Sequence, residues 1–115
     1  MNQVRLIELP CIRDPRGNLS FIERGICPFD IDRVGWLYDM PSGHSVSLRA
    51  VDRCRLIVAM CGSFDIVISD GDNPRRIHLN RSDRGVAVGC DVRLENFSTN
   101  SVVMILTSKE SWTKN

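Results

Sequence analysis

Histidine is scarce in this sequence, which contains only His44 and His78 among its 115 residues. No pair of potential ligands has the spacing of a zinc site, so we expect neither a metal nor a cofactor. The cysteines are odd in number and include no C-x-x-C pair. They are Cys11, Cys27, Cys54, Cys61 and Cys90. Without a secretory signal, this pattern favours free thiols over a disulfide framework.

A charge excess is also absent, since 15 basic side chains stand against 14 acidic ones and leave a net charge of +1. This balance argues against a strong nucleic-acid or membrane-surface binder. The N-terminus lacks the basic and apolar regions of a signal peptide. The longest apolar run, 56–61, has only the length of one strand. We therefore expect a cytoplasmic protein that binds neither nucleic acid nor membrane.

Long amphipathic helices are missing as well, because no segment shows a capped apolar pattern with the period of a helix. Short extended segments separated by Gly, Pro and Asn turns instead predict one all-β domain over residues 1–115, an antiparallel sandwich or barrel. The predicted strands are 4–9, 19–23, 31–38, 45–51, 56–61, 64–69, 76–79, 85–88, 91–95 and 101–107. The continuous apolar run at 56–61 predicts a strand buried on both faces.

Several motifs are informative through their order and spacing. Residues 14–19 read DPRGNL, residues 28–34 read PFDIDRV, residues 33–43 read RVGWLYDMPSG, and a Gly62-Ser63 corner follows. With these motifs the chain resembles the nucleotide-sugar 3,4-ketoisomerases of the WxcM-like cupin family, which act on dTDP-4-keto-6-deoxyhexoses. The resemblance implies an antiparallel jelly-roll β-barrel, a homodimer, and a dTDP-sugar ligand at the mouth of the barrel.

The histidines of the family's H-x-H strand are missing. Counting back from Gly62, their positions fall on Leu48, Arg49 and Ala50, or, with a gap of one residue, on Arg49, Ala50 and Val51. Sugar ketoisomerisation through an enediol needs a base and an acid that titrate near working pH, as imidazole does. Arginine stays protonated and cannot replace it. The resemblance therefore predicts a retained fold with weak or absent catalysis.

Two further departures from the family pattern lie elsewhere in the chain. Gly35 stands where the family tends to have a tyrosine, and residues 89–94 lack the histidine of the family's P-P-x-x-W-H segment. His44 lies in a turn and His78 on a short strand, where a structural or solvated role is favoured over a catalytic one. The sequence also has no carboxylate pair or nucleophile with its base in a recognisable pattern.

A set of arginines supplies the candidates for contact with an anionic ligand. They are Arg16, Arg33, Arg49, Arg53, Arg55 and Arg93. On an unbroken strand, Arg49, Arg53 and Arg55 would project from one face. An inward face predicts a phosphate or carboxylate site, whereas an outward face, favoured because buried charge is costly, predicts a solvated surface or dimer rim. Arg16 and Arg33 match family positions, and each can bind pyrophosphate or pair with a neighbouring aspartate.

Trp36 and Tyr38 share one face of the strand predicted at 31–38. Such a pair can stack on a base or a sugar, but it more often lies in a core or a dimer interface.

The residues leave three functions open. The first is an isomerase of a keto-deoxyhexose nucleotide in deoxysugar and surface-polysaccharide biosynthesis. The second is a non-catalytic subunit that binds a nucleotide sugar or supports an active homologue. The third is a purely structural dimer. The missing H-x-H pair separates the first function from the other two.

Overall fold

The computed structural model describes residues 3–69 and 74–110, and these residues contain eleven strands and no helix. The strands are β1 (Val4–Glu8), β2 (Cys11–Ile12), β3 (Leu19–Ser20), β4 (Ile31–Leu37), β5 (Val46–Leu48), β6 (Arg55–Cys61), β7 (Phe64–Ile68), β8 (Arg75–Leu79), β9 (Arg84–Val88), β10 (Val92–Glu95) and β11 (Val102–Ser108). The prediction of an all-β chain is confirmed. The turn predicted around Asp70 and Gly71 lies outside the described residues.

Two antiparallel sheets make up most of the fold. The larger has the strand order β1-β9-β6-β11-β4 and the smaller has the order β5-β10-β7-β8, while β2 and β3 form a separate two-stranded sheet. Most neighbouring strands are distant in sequence, because the chain crosses repeatedly from one sheet to the other, as it does in a jelly roll.

The main core lies between the two sheets, and the surfaces that line it are here called the inner faces. Ile57 and Ala59 of the larger sheet meet Phe64 and Ile66 of the smaller sheet, and each is at most 1% exposed. Full burial of a large apolar side chain stabilises a fold by about 1.5–3 kcal/mol. This packing fixes the distance between the sheets and therefore the shape of any space between them.

β6 is covered on both faces, as its apolar run predicts. Leu56 and Val58 alternate with the inner-face residues and pack on the opposite surface against Ile7 and Leu9. A tight corner then joins β6 to β7 at Gly62, whose φ is +73°. A Cβ there would collide with Oγ of Ser98 and lie 3.0 Å from the Cα of Ser101, and side chains rarely adopt this φ, so a substitution would be strained.

The prediction of a strand over 45–51 is wrong in its extent. β5 ends at Leu48, the chain turns through Asp52 with φ +56°, and β6 begins at Arg55. The interruption separates Arg49 from Arg55, so side-chain alternation cannot be counted from one to the other. The single arginine face that an unbroken strand would give is therefore not present.

All five cysteines are free thiols, and they range from buried Cys54 to exposed Cys61. Within 3–69 and 74–110, no group of three or more potential ligands could hold a metal ion. The same residues include no helix with the length and apolar character to cross a membrane.

Candidate functional site

Two arginines lie in one row across the larger sheet. Thr107 in β11 is directly opposite Arg33 in β4 on one side and Arg55 in β6 on the other. Residues that face each other in neighbouring strands project from the same side of a sheet. Arg55 alternates with inner-face Ile57, so all three side chains of this row are on the inner face.

A cavity of about 410 Å³ opens at this row, between the two sheets. Its lining comes from β4, β5, β6, β11 and the turn before β6. The lining residues are Arg33, Gly35, Trp36, Leu37, Leu48, Arg53, Arg55, Ile105 and Thr107. This space is here called the inner pocket. It contains no imidazole, carboxylate or thiol.

Arg55 is the least solvated cation of the inner pocket. Burial lowers the pKa of its guanidinium, Asp91 acts in the opposite direction, and the like charge of Arg33 lowers it further. Its Nη1 donates a hydrogen bond of 2.7 Å to the backbone carbonyl of Arg49. No carboxylate of the described residues lies within ion-pair distance of Arg55. This side chain is held in place, yet its charge is not neutralised.

The other two arginines differ in how they are paired. Arg53 Nη1 donates to the carbonyl of Ser108 at 3.1 Å and lies 3.8 Å from Oδ2 of Asp32. Arg33 is exposed and forms no ion pair with the described residues. Asp32, the aspartate considered as a partner for Arg33, lies beside Arg53 instead. The inner pocket is therefore positive, with Arg53 and Arg33 at its solvent side and Arg55 further in.

The positions expected for the family's histidines are spread over different environments. Leu48 lies on the inner face and lines the inner pocket. Arg49 instead lines a groove on the outer surface of the smaller sheet. The N–H of Ala50 donates to Oδ1 of Asp91 at 2.8 Å, and Val51 is 70% exposed. None of the four supplies a proton donor or acceptor side chain that titrates near neutral pH.

Both histidines lie away from the inner pocket. His44 is exposed in the loop before β5. His78 is on the outer surface of the smaller sheet, where its Nδ1 is 2.6 Å from Oδ1 of Asp65. Asp65 is also bound by Arg76 and Asn96, at 2.9 Å and 3.1 Å.

Gly35 leaves part of the inner pocket open. It is opposite Ile105 in β11, two residues along each strand from the row of Arg33 and Thr107 and therefore on the same face of the sheet. A Cβ built on Gly35 would meet nothing within 4 Å, and the backbone there is not in the left-handed region. The space beside Gly35 is therefore open to a ligand.

The remaining sequence candidates lie outside the inner pocket or only at its edge. Arg93 lies with Arg49 in the outer groove of about 720 Å³, and its Nε donates to Glu95 at 2.7 Å. Arg16 is in an exposed turn and pairs with Asp14 at 3.0 Å. Trp36 and Tyr38 do not form one face of a strand, because β4 ends at Leu37.

Sequence reasoning overlooked Thr107 and Ile105 as lining residues. Both come from the last strand, and only its register with β4 and β6 places them beside the arginines. Asp91 was also overlooked, although it holds the turn after β5 and influences Arg55. Alternation along β11 identifies the correct face of that strand, but pairing across more than 50 residues leaves no local signal in the sequence.

Comparison with known proteins identifies the family. The sequence matches the family model described as FdtA: WxcM-like, C-terminal, over residues 2–115. The chain belongs to this family, and the resemblance noted from its motifs is confirmed. No curated protein matches the chain.

Solved structures agree with this assignment. The TDP-quinovose 3,4-ketoisomerase WlaRB of Campylobacter jejuni is 31% identical, with a TM-score of 0.84 over 92% of this chain and 85% of that chain. The sugar 3,4-ketoisomerase QdtA of Thermoanaerobacterium thermosaccharolyticum, solved with TDP, is 25% identical, with a TM-score of 0.85 over 92% of this chain and 80% of that one. A 3,4-ketoisomerase of Helicobacter canadensis is 26% identical, with a TM-score of 0.84 over 97% and 85%. The jelly-roll cupin prediction is confirmed, and the chain is a cupin of the sugar-nucleotide isomerase type.

Proposed function

We propose that this chain is a sugar-nucleotide-binding cupin, folded as one domain over 1–115, that retains the ligand pocket of its family but has little or no ketoisomerase activity. The observation behind this proposal is the lining of the inner pocket, which holds three arginines and no group that can exchange a proton near neutral pH. Enediol chemistry needs such a group within hydrogen-bond reach of the sugar. Without one, the pocket can bind and orient a ligand but has no base to begin the reaction.

The proposed ligand is a dTDP-linked hexose. QdtA was solved in complex with TDP, and a variant of it in complex with TDP-4-keto-6-deoxyglucose. The guanidinium groups of Arg33 and Arg53 at the solvent side of the inner pocket suit the phosphate oxygens of such a ligand. Because a dTDP-linked hexose is the proposed ligand, we also propose that the protein takes part in deoxysugar or surface-polysaccharide biosynthesis.

Hydrogen–deuterium exchange on dTDP-4-keto-6-deoxyglucose in D₂O tests the loss of chemistry. Proton NMR should show that exchange at C3 is no faster with the protein than without it. A thermal-shift titration with dTDP tests binding in the same samples, and the melting temperature should rise with ligand concentration. Protein-dependent exchange would contradict the loss of chemistry, and a flat melting temperature would contradict nucleotide binding.

A second proposal concerns assembly, because one outer surface is unusually apolar. β4 is an edge strand of the larger sheet, and its outward residues Val34 and Trp36 are 48% and 59% exposed. Met60, which is 43% exposed, lines with Val34 a shallow groove on the same surface. Edge strands with exposed apolar side chains are sites of association. We assign this surface to a homodimer, or to a pair with an active homologue.

A further inference from the structure

The half-buried side chain of Arg55 places a positive charge in the inner pocket that a neutral 6-deoxyhexose would not balance. Arg55 has five N–H donors, and one of them is accounted for by the carbonyl of Arg49. The others have no carboxylate partner among the described residues. A hexose that offers only hydroxyl and keto oxygens to Arg55 would leave the positive charge of this partly buried side chain unbalanced.

The three arginines lie at different depths of the inner pocket, so we expect them to contact different parts of a ligand. Arg33 and Arg53 are exposed at the entrance, whereas Arg55 is half-buried. A nucleotide sugar that enters sugar first would bring its diphosphate to the entrance and its hexose to the side of Arg55. The open volume beside Gly35 adds room at the hexose end.

We infer that the hexose recognised by this pocket bears its own negative charge, so that the ligand is a nucleotide-linked hexuronate or a similar carboxylated sugar, bound through Arg55. A carboxylate matches the planar fork of a guanidinium and can accept two parallel hydrogen bonds from it. Thr107, directly opposite Arg55 in the neighbouring strand, offers a hydroxyl beside the same site. This inference rests on the proposed sugar-nucleotide-binding function and specifies its ligand class.

Calorimetric titrations with dTDP, dTDP-glucose and dTDP-glucuronate test the inference, because the last two differ only in the carboxylate. We expect dTDP-glucuronate to bind at least about tenfold more tightly than dTDP-glucose, as one charge-assisted hydrogen-bonded pair provides. In Arg55→Gln this preference should fall to about threefold or less, while the affinity for dTDP changes little. Arg75→Gln, at the exposed start of β8 and outside the lining of the inner pocket, is the control with the same change of charge and should keep the preference.

The outcomes separate the inference from the proposed function. Equal affinity for the two sugars, or tighter binding of dTDP-glucose, would overturn the carboxylate site and leave nucleotide-sugar binding intact. A uniform loss of affinity for all three ligands in Arg55→Gln would assign this arginine to the diphosphate and would also overturn the inference. Failure of all three ligands to bind the wild-type protein would remove both. If Arg55→Gln is unstable, Arg55→Lys keeps the charge without the planar fork and should retain only part of the preference.

Discussion

Arg33 and Arg55 face the same space from strands on either side of Thr107, the residue that both oppose. The like charge of Arg33 lowers the pKa of the Arg55 guanidinium, after burial and against the effect of Asp91. The described residues supply neither arginine with a carboxylate partner at ion-pair distance. The inner pocket therefore presents two arginines to a ligand from the same row of the sheet.

Arg55→Gln should stabilise the ligand-free protein, because it removes a partly buried charge that has no carboxylate of the described residues within ion-pair distance. We expect the melting temperature to rise by about 2–5 °C in calorimetry without ligand. Arg75→Gln, which removes an exposed charge at the start of β8, should change the melting temperature by less than about 1 °C. A lower melting temperature for Arg55→Gln would mean that the hydrogen bond to Arg49 outweighs the charge.

Gly35 should accept larger side chains without damage to the fold. Gly35→Ala should raise the free energy of unfolding by about 0.5–1 kcal/mol, because alanine has less backbone freedom to lose and its Cβ meets no neighbour. Gly35→Tyr should fold equally well but fill part of the inner pocket. It should weaken binding of dTDP-glucose more than binding of dTDP. Gly62→Ala, whose Cβ meets Ser101 closely, is the contrasting variant and should be destabilised.

Asp65 should make the free energy of unfolding depend on pH in the acidic range. Burial raises the pKa of its carboxyl group, but hydrogen bonds from His78, Asn96 and Arg76 outweigh burial and hold it below the ordinary value of 3.8. Because the folded-state pKa is depressed, this stabilisation is complete above the unfolded-state pKa and is lost as pH falls through the folded-state pKa.

Asp65→Asn should therefore lower the free energy of unfolding by about 1–3 kcal/mol at pH 7. In urea titrations the gap between wild type and variant should narrow as the pH is lowered from about 5 to about 3. Asp30→Asn, which removes an exposed carboxylate, is the control and should change the free energy of unfolding at pH 7 by less than about 0.5 kcal/mol. A gap that stays constant on acidification would show that Asp65 acts through its shape rather than its charge.

Trp36 should be needed for self-association. Trp36→Asp places a charge on the exposed apolar surface beside Val34 and should shift the protein from dimer to monomer in sedimentation velocity at micromolar concentration. The circular dichroism spectrum should stay that of an all-β protein, because Trp36 is not part of the core between the sheets. A wild-type protein that is monomeric at the same concentration would refute the assignment of this surface.

The strand pattern and the turns of the sequence were enough to predict the fold. Apolar residues 56–59 identified a strand buried on both faces, and the glycine at 62 identified its corner. The position of the arginines was not predictable in the same way. The turn at Asp52 is held by the long-range hydrogen bond from Ala50 to Asp91. Because this turn interrupts the strand, counting residues from Arg49 to Arg55 could not predict on which face each side chain lies.

The candidate site was also only partly visible in sequence. The loss of the H-x-H pair follows from the sequence alone, but the inward position of Arg55 depends on its pairing with Thr107. The outward position of Arg49 and the contact of His78 with Asp65 likewise depend on how distant segments meet. Local patterns describe elements, whereas a site is built from the register between them.

Exchange at C3 of dTDP-4-keto-6-deoxyglucose is the measurement that tests most directly whether this cupin retains binding without chemistry. Proton NMR in D₂O should show the same rate of exchange with and without the protein, in samples where dTDP raises the melting temperature. The active relative QdtA, assayed in parallel, verifies that exchange can be detected. Exchange that increases in proportion to the concentration of this protein would contradict the account, because it would require a base that the inner pocket does not contain.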